Sequence, residues 1–153
     1  MMKSKSKTFK TASIVFFVLG LIYVWVRFFA ESIINTDKVC HANKCFIVEI
    51  ADTNEERQQW LMNRESMASN RWMLFIFEEQ KKHTFWMKNT LIPLDMIRID
   101  SELNIVDAQT AQPCISNVCE TYVPQWDASY VLELNAWIAE EYSIKIWDKL
   151  EIK

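Results

Sequence analysis

The only glycine in this chain is Gly20, so residues 31–153 hold none. At ordinary usage, that stretch would carry about nine. Glycine supplies the positive backbone angles of tight turns and lets backbones approach closely, so a domain without it must turn by other means. The chain also holds 7 tryptophans, the bulkiest residue there is. Of its 153 residues, 50% are hydrophobic and 24% charged, which suits one compact domain and excludes a disordered tail.

Ala12 to Val26 carry no charge, and beyond Arg27 the run continues through Phe28, Phe29 and Ala30. These roughly 19 mostly apolar positions suffice to span a bilayer as a helix. The flank before them holds Lys3, Lys5, Lys7 and Lys10 and no acid, so the positive-inside bias keeps it in the cytoplasm. The expected organisation is a basic cytoplasmic tail at 1–11, a transmembrane signal anchor at 12–30, a stalk and hairpin start at 31–44, and a β-rich extracytoplasmic domain at 45–153. A cleaved signal peptide competes with this reading, but Phe28, two positions before Ala30, fits an A-x-A-like site poorly. Beyond residue 30 there are 12 basic against 20 acidic side chains, the wrong balance for neutralising phosphates. Nucleic acid is therefore excluded as a partner, and the membrane, through 12–30, is the expected one.

An outside location changes the reading of the cysteines. Cys40 and Cys45 are spaced C-x4-C, as are Cys114 and Cys119, and an oxidising compartment favours two short disulfides. The first pair would face across a hairpin with His41–Lys44 as its loop, and the second would close the loop PCISNVC. A four-cysteine zinc site is the rival, although structural zinc prefers C-x2-C knuckles and reduced thiols. No C-x-x-C redox motif exists.

Alternation and turn signals predict strands at 46–51, 73–77, 84–88, 95–100, 104–109, 129–135 and 149–153. Thr53 and Glu56 form a capping-box pattern before a short helix at 52–62, and a second helix fits 136–142. Many short strands with two small helices point to a β-sandwich or distorted barrel.

The stretches ERQQWLMNR, WMLFIF, FWMKNTLIPLDM, YVLELNA and IKIWD resemble the bacterial and archaeal family called domain of unknown function 192, over nearly all of residues 45–153. The resemblance implies a mostly β, jelly-roll-like domain, often exported or membrane-tethered, with no established activity; with the anchor at 12–30, the expected location is the bacterial inner or cytoplasmic membrane. It also exposes a systematic departure. Trp60, Trp72, Trp126, Trp137 and Trp147 stand where the family pattern has, or commonly has, glycine. One cause accounts for both the missing glycines and these tryptophans: UGA codons read as glycine in the cell and written as tryptophan. The alternative is a diverged domain repacked around large residues. Trp86 occupies a position where the family itself is aromatic, and Trp25 gives no basis for comparison.

The candidate binding surface is the strand-turn FWMKNTLIPLD, with Trp86, Met87, Lys88, Asn89, Thr90 and Asp95, joined by Arg64 and Glu133. Alternation places Phe85 and Met87 on one face and Trp86 and Lys88 on the other. Asp95 shares a face with Ile97 and Ile99 and needs a partner, for which Lys88, Asn89 and Arg64 are candidates. Such a surface suits a small polar or sugar-like ligand or an envelope protein. The structural alternative is that Asn89 and Thr90 cap a turn and Asp95 bonds backbone amides. Asp95 and Glu133 are also the pair on which a polysaccharide hydrolase would rest. No catalytic residue, cofactor or metal site is assigned: His41 and His83 stand in no nucleophile motif, and no glycine-rich phosphate loop exists. Arg98 reads as an exposed residue or a local partner of Asp100.

Overall fold

The computed structural model describes residues 37–59 and 61–153; the expected tail and anchor, residues 31–36 and Trp60 lie outside them. Among the described residues no helix is long and apolar enough to cross a membrane.

Strands β1 (Asp37–His41) and β2 (Lys44–Ala51) form a hairpin, followed by helix α1 (Asn54–Gln59) and the long strand β3 (Arg71–Lys81). Then come β4 (Phe85–Trp86), β5 (Leu94–Ile99), β6 (Ile105–Ala111), β7 (Thr121–Tyr122), β8 (Ala128–Asn135), α2 (Ile138–Glu141) and β9 (Leu150–Ile152). One 7-stranded sheet runs β6-β5-β8-β3-β2-β1-β9, while β4 and β7 pair apart from it. β2 and β3 run parallel, with α1 in their crossover.

The chain is mostly β with two short helices; of the two expected architectures, the sandwich of two facing sheets does not form, and the single sheet curled into a half-barrel is the nearer to a distorted barrel. The curl is visible in the hydrogen bonds that join its ends. Leu150 N donates to Leu103 O at 2.9 Å, Trp147 N to Ile105 O at 2.8 Å, and Ile105 N to Asp148 O at 2.9 Å. These bonds link the start of β6, at one end of the strand order, to the approach to β9, at the other.

Each face of the sheet carries its own apolar cluster. One, enclosed by the curl, contains Val48, Leu74, Ile97, Leu132, Ile105 and Leu150, with Ile138 and Tyr142 packed against it. The other contains Met73, Phe75, Met87, Met96 and Val131. Period-2 alternation produces this split, since Ile97 pairs with Leu132 on one face while Met96 pairs with Glu133 on the other.

The predicted capping box forms. Thr53 Oγ1 accepts from Glu56 N at 3.2 Å, and Thr53 N donates back to Glu56 Oε2 at 3.2 Å. Both expected disulfides are present, Cys40–Cys45 at 2.04 Å and Cys114–Cys119 at 2.13 Å, so the four cysteines are not left as thiolates for zinc. The hairpin is tighter than expected, because His41 and Lys44 pair and leave Ala42 and Asn43 as the turn. Its first arm is β1, within the segment read as stalk and hairpin start. The expected strand 84–88 shortens to Phe85–Trp86, because Thr90 N bonds Met87 O at 3.0 Å and Asn89 turns the chain at φ 57°.

The suspect tryptophans fall into distinct environments. Trp137 has φ 69° and Trp147 φ 75°, the left-handed region that glycine enters without penalty. Asp148 N bonds Lys145 O at 3.1 Å, so Trp147 sits at the third position of a β-turn, where a positive φ calls for glycine. Trp72 is 1% exposed and stacks on Phe46 with ring centroids only 3.3 Å apart, below the roughly 4.5–7 Å of ordinary aromatic pairs. Its indole N–H has no hydrogen-bond partner. Trp126 is exposed without a positive φ.

A left-handed non-glycine residue costs about 1–2 kcal/mol. Trp137→Gly and Trp147→Gly are therefore each expected to raise the melting temperature by several degrees, and Trp147→Ala to give much less, as read by calorimetry. If UGA is read as glycine, peptide masses of the native protein carry glycine at these positions; tryptophan masses would refute recoding.

Candidate functional site

The face of the sheet that carries Met73, Phe75 and Met96 is covered by α1, the segment after it, and the β4–β7 pair. Between these covers and the sheet lies an open pocket of about 250 Å³. Its walls are aromatic, from Phe75 and Phe77 on β3 and Phe85 and Trp86 on β4. Phe85 meets Phe75 edge-on at 5.3 Å, and His83 stacks on Phe77 at 3.6 Å. Burial lowers the His83 pKa, which favours the neutral imidazole. Its Nε2 lies 2.9 Å from Glu79 O.

Glu133 of β8 reaches the pocket from the sheet. It is 4% exposed, and no described residue donates a hydrogen bond to its carboxyl group. Burial pushes its pKa up to about 8, although Arg98 pulls the other way. At that pKa the protonated carboxyl group, a hydrogen-bond donor, predominates at neutral pH, and Glu133 lines the pocket.

Arg98 is fully buried on the same face rather than exposed. Its Nη1 donates to Asp107 Oδ2 at 3.0 Å and Gln109 Oε1 at 3.1 Å, and its Nη2 to Tyr122 O at 3.1 Å. The guanidinium thus binds β7 to the main sheet. Asp100, its expected partner, instead caps its own turn, accepting from Glu102 N at 2.9 Å and Asn104 N at 2.8 Å.

Of the candidate surface, Trp86, Lys88, Thr90 and Glu133 line this one pocket. Lys88 Nζ lies 5.3 Å over the Trp86 ring and has no acidic partner among the described residues. Met87, expected at the surface, is 2% exposed and belongs to the core beneath. Arg64 is engaged elsewhere, with Nη2 3.1 Å from Glu49 Oε2. Asn89 forms the turn without lining the pocket, as the structural alternative held.

Asp95 is on the opposite face. It pairs with Leu134, one residue along from the Met96–Glu133 pair, so the sheet itself separates the two carboxyl groups. Its Oδ1 accepts from Thr110 Oγ1 at 2.7 Å and its Oδ2 from Ala139 N at 3.0 Å, which anchors the start of α2. Lys88, Asn89 and Arg64 are not its partners. Asn54, Arg57, Gln58, His83 and Thr84 also line the pocket, with Leu61 and Met62. They lie on and just after a six-residue helix and on a loop, segments too short to carry a periodic signal, and the capping box was the one local clue. Among the described residues no three His, Cys, Asp or Glu converge on a metal site.

The profile of a family described as Uncharacterized ACR, DUF192, matches residues 36–152. A crystal structure from Sinorhizobium meliloti 1021, provisionally described as a transcription regulator, is 34% identical with a TM-score of 0.66 and covers 76% of this chain and 91% of its own. A protein of unknown function from Novosphingobium aromaticivorans DSM 12444 is 27% identical with a TM-score of 0.64, covering 76% of this chain and 83% of its own. No curated protein matches.

The raised Glu133 pKa has a consequence for stability. A carboxyl group at 4.5 unfolded and about 8 folded favours the fold fully below 4.5 and loses that contribution as pH rises through about 8. Glu133→Gln, which cannot ionise, is expected to gain in melting temperature over the parent as pH rises from 4.5 to 8, with the gap level above that. A gap independent of pH would show that Glu133 titrates normally.

Proposed function

Because the chain belongs to the DUF192 family, whose profile spans 36–152, we propose that it is a ligand-binding module acting at the outer face of the cytoplasmic membrane, with its site in the pocket above Glu133. The observation that carries this reading is the Glu133 carboxyl group. A buried polar group left without a protein partner costs about 1–3 kcal/mol, and a domain that only had to be stable would do better with an apolar residue there. Aromatic walls around a few convergent polar groups are the usual makeup of a small-molecule site.

The hydrolase reading loses its support. Paired-acid hydrolysis needs two carboxyl groups about 5–9.5 Å apart across one cleft, whereas Asp95 and Glu133 project from opposite faces of the sheet. A scaffold role fits Asp95, which is spent on Thr110 and Ala139, but leaves Lys88 and Glu133 unexplained. The regulator description of the Sinorhizobium protein is not carried over, because the 12 basic and 20 acidic side chains beyond residue 30 oppose binding to a phosphate backbone.

The site is tested by ligand-observed NMR of the full chain in non-ionic detergent against a fragment set of aromatic acids, amides and sugars. Hits are expected that disappear in Thr84→Trp, which fills the mouth. Hits that persist in that variant, or none at all, would overturn the pocket reading.

The membrane placement is supported by the apolar run 12–30 with its lysine flank and by two disulfides, which reducing compartments disfavour. Protease added to intact spheroplasts is expected to remove the domain, and protection from it would place the domain inside.

A further inference from the structure

Resting on the pocket reading above, we propose that the ligand is a small organic acid with a flat apolar body, its carboxylate held between the Lys88 ammonium and the Glu133 carboxyl group, its body against Phe75, Phe77 and Phe85. The balance of charge carries the assignment. The titratable residues lining the pocket are Arg57 on α1, His83 between β3 and β4, Lys88 after β4, and Glu133 on β8. Arg57 donates to the carbonyl oxygens of Asp52 and Ile76 and to Asn54 Oδ1, all uncharged acceptors, and forms no ion pair among the described residues, with Glu78, Glu79 and Lys81 around it in the adjoining cleft. Lys88 also has no acidic partner among the described residues. Arg98, behind Glu133, is matched by Asp107.

The pocket therefore presents two cations that form no ion pair, and the one acid among its described lining residues, with its pKa pushed up to about 8, adds little negative charge at pH 6.5. A protonated carboxyl group donates a hydrogen bond, and a ligand carboxylate both accepts it and pairs with the ammonium. An ammonium ligand fits less well despite the aromatic walls. It would have to ionise Glu133 in its buried position and sit beside Arg57 and Lys88. A sugar would leave both cationic charges unanswered.

Calorimetric titration of the full chain in non-ionic detergent with benzoate, benzyl alcohol and benzylamine separates these cases, since the three share a ring and differ in charge. Benzoate is expected to bind at least tenfold tighter than either of the others at pH 6.5, and about tenfold weaker in Lys88→Met. Parent affinity for benzoate is expected to fall at pH 9, where Glu133 ionises, while Glu133→Gln, whose amide still donates, retains its affinity at both pH values. Far-UV circular dichroism checks that both variants fold. Tighter binding of the alcohol or the amine would overturn the acid assignment and leave the pocket standing. Benzoate binding indifferent to Lys88→Met and to pH would also overturn it. Failure of all three probes, together with an empty fragment screen, would remove the pocket reading as well.

Discussion

The backbone hydrogen bonds that tie residues 103–105 to residues 147–150 are the constraint on which the rest of this fold depends. They bring the two ends of a seven-stranded sheet together and turn it into a curled wall with an enclosed side. Ile105 and Leu150 enter the same apolar cluster as a result. Asp95, projecting into that side, is left to anchor α2 through Ala139 N rather than to face solvent. The closure itself runs through the β-turn at Lys145–Asp148, whose residue 147 holds a left-handed conformation. The glycine question therefore concerns the joint that shapes the domain.

The curl leaves the other face of the sheet in need of cover, and the cover is assembled from small pieces: a six-residue helix, a loop and a pair of two-residue strands. Such pieces bury little surface alone. Arg98 compensates by reaching from β5, one strand in from the end of the strand order, to Tyr122 O, with Asp107 and Gln109 satisfying two further donor contacts. Removing one partner of such a buried pair is far costlier than never having had it. A cover held by a few directed bonds also leaves the space over Glu133 unfilled. The same arrangement that completes the fold produces the pocket.

Much of the architecture was legible in local patterns. Alternation located the core strands, Thr53 and Glu56 announced α1, and the C-x4-C spacings announced both bridges. The site was legible in part. Trp86, Lys88, Thr90 and Glu133 do meet; Met87 keeps the apolar face it shares with Phe85 and goes to the core rather than the pocket, and Arg98 was misread because a charged residue inside an apolar strand usually faces water. β7 escaped notice, since two residues carry no period.

What the sequence determined by itself is whatever depends on neighbours a few residues apart: the strand faces, the capping box, the hairpin bridge and the oddity of a β domain without glycine after residue 31. Tertiary structure alone decided between a curled sheet and two facing ones, that Asp95 and Glu133 part to opposite sides, and that Arg98 finds Asp107. Strand pairing brings together segments far apart in the chain, and a side chain's alternation fixes which face it takes without saying what will cover that face.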